Sequence, residues 1–360
     1  MTSRERVLTA LAHRPTDRVP RLLYEEVIGY PPAIARLLAE HCAPKAPREY
    51  FDMDITSVSF NPTMLPRERF AEWLGDEAPA ALSSGQVDEW GVWWQAGSFH
   101  HFTRIQSPLR GVETVAPLAR YPWPDLDKPY RFEVVREKVE ALQSQGVAVA
   151  AYAGSVFEQA WYLRGLENLM TDLLARPEIA HDLFQRTAAF QQHAARQFAC
   201  AGVDILITGD DIAGQTGPLI SLEMWRRFLK PLLAATVRVV KETNPATQVF
   251  YHSDGKVEAF IPDLMEIGID ILNPIQPEAM DPAAIKRRYG DRLSFWGTIS
   301  VQRTMPLGTP DEVRAEVRAR IREVGRGGGL ILAPAHVLGP ETPWENIVAF
   351  FDAADSTPVT

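Results

Sequence analysis

The chain has 360 residues, of which 46% are hydrophobic and 23% charged, with 37 basic against 46 acidic side chains. A net charge of -9 argues against a nucleic-acid partner and gives no attraction to an anionic membrane surface. Two cysteines exclude a disulfide scaffold, the charged start Arg4-Glu5-Arg6 does not read as a secretory signal, and no apolar run approaches a membrane span. A cytoplasmic enzyme acting on a small molecule is therefore expected.

Apolar runs alternate with amphipathic stretches along the whole chain. Strands are expected at 19–24, 55–60, 147–153, 203–208, 248–252, 269–273, 293–298 and 330–335. Helical spacing marks 163–174, 179–201, 222–243, 257–267 and 310–324. Thr309 stands as the cap of the last of these, while Gly202, Gly268 and Gly325 end helices just before strands. Eight strands alternating with helices predict a (β/α)₈ TIM barrel, read as a single domain over 1–360. Residues from about 75 to 130 break the alternation. There, 88–94 and 99–105 read as a β-hairpin within an insertion after the second strand. Trp90, Trp93 and Trp94 would either wall the catalytic face or pack a small subdomain. The glycines of 325–329 precede a strand, and so read as a turn rather than a phosphate loop.

Strand ends carry the chemistry. Phe250-Tyr251-His252-Ser253-Asp254-Gly255 closes one apolar run, and the run 329–335 ends on His336. Side chains two residues apart leave a strand on the same side, so His252 and Asp254 would share the C-terminal rim of a barrel. Two histidines and a carboxylate suffice for Zn²⁺ or Fe²⁺ with an open position. Against this, an isolated His-x-Asp is commonly a hydrogen-bonded strand end, and a rim histidine such as His336 is often a substrate donor.

Glu158 follows the third strand as a fourth ligand, a general acid/base, or a glutamate merely favoured at a helix start. Asp210 and Asp211 end the fourth strand, and adjacent carboxylates do not both ionise without a cation or donors nearby. One is expected to face the pocket and the other to cap a turn. Tyr162, Asn273, Gln276 and Trp296 are expected along the cavity, although a tryptophan there is more often core.

These residues also resemble a family. Arg4-Glu5-Arg6-Val7, Asp17-Arg18-Val19-Pro20, Phe51-Asp52-Met53-Asp54, Gly209-Asp210-Asp211, Tyr251-His252-Ser253-Asp254-Gly255, Phe295-Trp296-Gly297 and Pro334-Ala335-His336 with Thr342-Pro343 are similar to motifs of the uroporphyrinogen decarboxylase superfamily. The resemblance implies a (β/α)₈ barrel. In the decarboxylases an arginine-bearing loop binds the carboxylates of the porphyrinogen, whereas this chain reads Val19-Pro20-Arg21-Leu22-Leu23-Tyr24-Glu25-Glu26. Asp54 and Tyr162 match the decarboxylase aspartate and tyrosine positions.

The resemblance to the corrinoid-dependent methyltransferase branch is closer. That branch holds zinc with a His-x-Cys pair and a later cysteine. At the three matching positions this chain has His252, Asp254 and His336. Exchange of both thiolates for harder ligands favours an oxygen or nitrogen donor over a thiol. The resemblance therefore implies metal-dependent methyl or one-carbon transfer on a small oxygen- or nitrogen-bearing substrate. Glu158 or Asp211 would move the proton, and a corrinoid would be carried by a separate partner protein. The alternatives are a metal-independent carboxy-lyase using Asp54 and Tyr162, and a non-catalytic binding barrel. A homodimer is left open.

Overall fold

In the computed structural model, which describes residues 1–96 and 103–359, nine strands form. In chain order they are β1 (Ile55–Val58), β2 (Trp93–Ala96), β3 (Thr103–Gln106), β4 (Ala148–Tyr152), β5 (Ile205–Gly209), β6 (Gln248–His252), β7 (Ile271–Asn273), β8 (Ser294–Trp296) and β9 (Leu330–Ile331). Seven of them make one parallel sheet in the order β1-β4-β5-β6-β7-β8-β9. The runs Ala148–Ala151 of β4, Ile205–Ile207 of β5 and Val249–Tyr251 of β6 are buried without alternation, which fits a sheet covered on both faces.

The stretch expected as the first strand, 19–24, contributes a single parallel bridge, Arg21 to Leu332. It still spans the two edges of the curled sheet. Leu22 donates its N–H to Leu332 and Leu332 donates to Pro20, while Asp54 donates to the Arg21 carbonyl. Pro20 has no N–H to give, and the Arg21 N–H is taken by the Asp54 carboxylate at 2.9 Å, so a regular ladder cannot extend.

Two predicted helices are divided. The 163–174 pattern is split between Phe157–Arg164 and Leu166–Ala175, which meet at Gly165 with φ +86°. The 222–243 pattern breaks at Leu229 into Leu222–Phe228 and Lys230–Thr243, where Pro231 removes a helical donor. Pro310–Glu323 begins as expected, with Thr309 and Glu312 bonding each other's backbone N–H.

Strands β2 and β3 pair antiparallel, Trp93 opposite Gln106. The first arm starts later than expected because Asp88 Oδ1 accepts the N–H groups of Trp90 and Val92, which tightens 88–92 into a turn. Residues 99–102 of the expected second arm lie outside the described residues. The Trp94 ring packs at 4.9 Å from Tyr162, so the hairpin rests on the helix that follows β4. Among the described residues, no helix is long and apolar enough to cross a membrane.

Candidate metal centre

His252 is the last residue of β6 and is flanked in the sheet by Gly209 of β5 and Asn273 of β7. A side chain at 209 would place its Cβ 2.4 Å from the His252 carbonyl oxygen and 2.6 Å from its Cβ, so only glycine permits this close pairing. The alternation expected from the strand period is present. Tyr251 and Ser253 are fully buried, while His252 and Asp254 are half-buried at the rim.

Asn273 determines the state of the imidazole. Its Nδ2 donates to the Trp296 carbonyl at 2.8 Å, which leaves Oδ1 as the acceptor facing His252 Nδ1 at 2.6 Å. Assigned from this network, Nδ1 carries the proton and Nε2 keeps a free lone pair. That nitrogen lies 3.8 Å from Asp211 Oδ1 and 4.0 Å from Asp254 Oδ1. Asp254 Oδ2 in turn lies 4.0 Å from His336 Nε2. One donor atom from each of His252, Asp254 and His336 falls within 4.8 Å of the other two. Ligand atoms around one tetrahedral zinc are about 3.4 Å apart, a difference that small side-chain rotations cover. Asp254 Oδ1 is buried with no hydrogen-bond partner, an arrangement that is costly unless a cation or another donor occupies the gap. The donor set and the orphaned oxygen fit a divalent metal.

The two histidines differ electrically. Burial pulls the His252 pKa down, but Asp254 and Asp211 outweigh it and leave it raised. Burial dominates at His336, whose pKa is lowered. Tyr24 stands beside both rings, at 5.9 Å from His252 and 6.0 Å from His336.

A cavity of about 430 Å³ opens onto these histidines. Glu158 lines it and accepts the Tyr162 hydroxyl at 2.9 Å. Burial, reinforced by Asp211, pushes the Glu158 carboxyl up to about 7. Burial also raises Asp211, whose Oδ1 accepts the Asp254 N–H at 2.8 Å.

The other expected site residues stand behind the cavity or away from it. Asp210 turns its Oδ1 to the N–H groups of Val156, Phe157 and Glu158, so it caps the helix that carries Glu158. Gln276 accepts the Gly255 N–H at 3.1 Å and so holds the loop after β6. Trp296 is fully buried, edge-on to Phe250 and to Tyr24, and its carbonyl holds the Asn273 amide. Asp54 lies at the opposite end of the sheet, before β1, where it is bound by Arg6 at 2.5 Å and Arg18 at 2.6 Å. The structure does not bring it to the metal ligands.

The sequence reading missed Tyr24, Tyr152 and Glu25. Glu25 is fully buried, accepts the N–H of Leu338 two residues beyond His336, and leaves its second oxygen unpartnered. Its only visible sign was the pair of acids standing in place of an arginine loop.

Residues 92–357 match the family described as uroporphyrinogen decarboxylase (URO-D). The chain belongs to the URO-D family. It is 23% identical over 372 residues to a uroporphyrinogen decarboxylase of Coxiella burnetii, covering 98% of this chain and 94% of that protein. A methylcobamide:CoM methyltransferase MtaA of Methanosarcina barkeri is 31% identical over 178 residues, 48% of this chain and 49% of its own. A solved methyltransferase from Methanosarcina mazei shares the fold at TM-score 0.66 and 20% identity, covering 99% of this chain and 98% of its own. Decarboxylase and methyltransferase names thus both occur among this URO-D protein's relatives, and choosing between them falls to the site.

Proposed function

We propose that this URO-D family member is a metal-dependent methyl or one-carbon transferase for a small oxygen- or nitrogen-bearing substrate. His252, Asp254 and His336 would hold Zn²⁺ or Fe²⁺. The observation that carries the reading is the buried, unpartnered Asp254 Oδ1, 4.0 Å from an imidazole nitrogen whose ring partner is already committed to Asn273. Once bound, the metal would supply Lewis acidity toward the substrate heteroatom. Glu158, raised to about 7, is suited to hold or release a proton at its carboxyl near neutral pH, with the Tyr162 hydroxyl orienting it. Asp211 is the second candidate for that proton.

A corrinoid carried by a separate protein would be the methyl partner. Residues 1–360 are read as one (β/α)₈-barrel domain, with 75–130 as the insertion beside the rim. The contact of Trp94 with Tyr162 supports that placement.

The test is metal quantitation on protein purified without chelator. Close to one zinc or iron per chain is expected, lost in His252→Ala with the fold retained. Asp254→Cys should keep the metal and lower activity on an oxygen or nitrogen substrate, since a thiolate is the softer and stronger donor. Full activity in metal-free protein would sink the reading.

A further inference from the structure

Carboxylates crowd this rim, and cationic side chains do not. Glu158 lines the cavity, and Asp211 and Asp254 stand beside His252, yet among the described residues no lysine or arginine lines it. A divalent ion on His252, Asp254 and His336 would keep one positive charge after Asp254 and none after Asp211. The Glu158 carboxylate would then lack a counter-charge. Asp210 is a separate matter, because its Oδ1 is already taken by three N–H donors at a helix start.

Apart from Ser57 and Ser59, the remainder of the wall is aromatic and aliphatic. Tyr24, Phe60 and Tyr152 line the cavity together with Val27, Ile28 and Val58. An anionic head group would find the carboxylates and no side-chain cation to pair with. An alkylated ammonium is weakly hydrated, is attracted to aromatic faces and pairs with a carboxylate. The volume of about 430 Å³ suits a molecule of modest size.

We infer that the substrate of this cavity is a compact methylated amine that also carries an oxygen function, its cation held among Tyr24, Tyr152 and Glu158 and its oxygen left to meet the proposed metal, because a cationic nitrogen has no lone pair to give one. The inference rests on the proposed function for the identity of the site, but not on methyl transfer itself.

Two probes of equal shape test it: choline, and its uncharged isostere 3,3-dimethylbutan-1-ol. Calorimetric titration of the full chain, both as purified and after incubation with zinc, should show choline binding at least about tenfold more tightly, the scale of a cation among aromatic rings and a carboxylate. Glu158→Gln should bring the two within about threefold of each other while leaving the neutral isostere's affinity unchanged. Should that variant unfold, Tyr152→Leu provides the second arm and should likewise shrink the preference. Equal affinities in the wild type, no binding of choline, or a preference untouched by a folded variant would each overturn the inference. Zinc uptake and methyl transfer are measured separately. A preference for choline without zinc uptake would defeat the metal reading alone, and zinc uptake without the preference would defeat this inference alone.

Discussion

Asn273 decides which nitrogen of His252 is available, although it never reaches the cavity. Its amide is locked by the Trp296 carbonyl, so its oxygen must face the imidazole. Asn273→Ala should therefore weaken zinc binding about 10–100-fold, measured by competition with a chromophoric chelator, while the three ligands remain in place. Glu25 makes a different prediction. Burial, partly offset by the Leu338 N–H, lifts its pKa from near 4.5 to about 7. Between those values the folded state holds a proton that the unfolded state has lost. Its contribution is therefore fully present below pH 4.5 and is lost as pH rises through 7, on the order of 3 kcal/mol. Glu25→Gln should flatten that dependence, seen as a smaller difference in urea midpoint between pH 5 and pH 8. An unchanged difference would mean that Glu25 does not titrate in this window.

At the level of elements, the ends of β6 and of the segment after β9 supply the ligands, β5 and β7 flank His252, and the spacing on one side is set where β5 meets β6. Gly209 lies opposite His252, and any Cβ there would collide with the His252 backbone. Gly209→Ala should cost about 1–3 kcal/mol in stability and reduce zinc occupancy as well, because the strand carrying the ligand has to move. Thermal melting and metal analysis on the same preparation would show whether the two losses occur together. The helix Phe157–Arg164 is positioned the same way: Asp210 caps its start and so places Glu158, one turn before Tyr162.

Across the whole molecule, the two ends of the sheet carry separate networks. Asp54, Arg6, Arg18 and Asp17 lock the N-terminal end, with Asp54 fully buried between two arginines. Asp54→Asn removes one partner from that network and should destabilise the protein by about 3–5 kcal/mol, while zinc content stays unchanged. The same residue tests the decarboxylase alternative. Little or no conversion of uroporphyrinogen is expected from the wild type, and robust conversion abolished by Asp54→Asn in still-folded protein would restore that reading.

Much of the fold was legible because strand and helix periods are local. The residues 248–252 were expected as a strand and form one, and the cap at Thr309 follows from three adjacent residue types. Seven of the eight strands expected from the alternation with helices form, and they are parallel as that alternation implies. The pairing of His252 with Asp254 at one strand end needed only the period of two. What the sequence left undetermined depends on partners distant in the chain. Residues 19–24 look like a strand but make only a bridge, because the carboxylate of Asp54, 33 residues away, takes the Arg21 N–H. Asp210 and Asp211 are adjacent and chemically identical. One caps a helix start 54 residues upstream and the other faces His252, a division that only the packing of β4, β5 and β6 makes. The free nitrogen of His252 and the unpartnered oxygen of Asp254 are tertiary facts as well, since each depends on where Asn273, Trp296 and His336 come to lie.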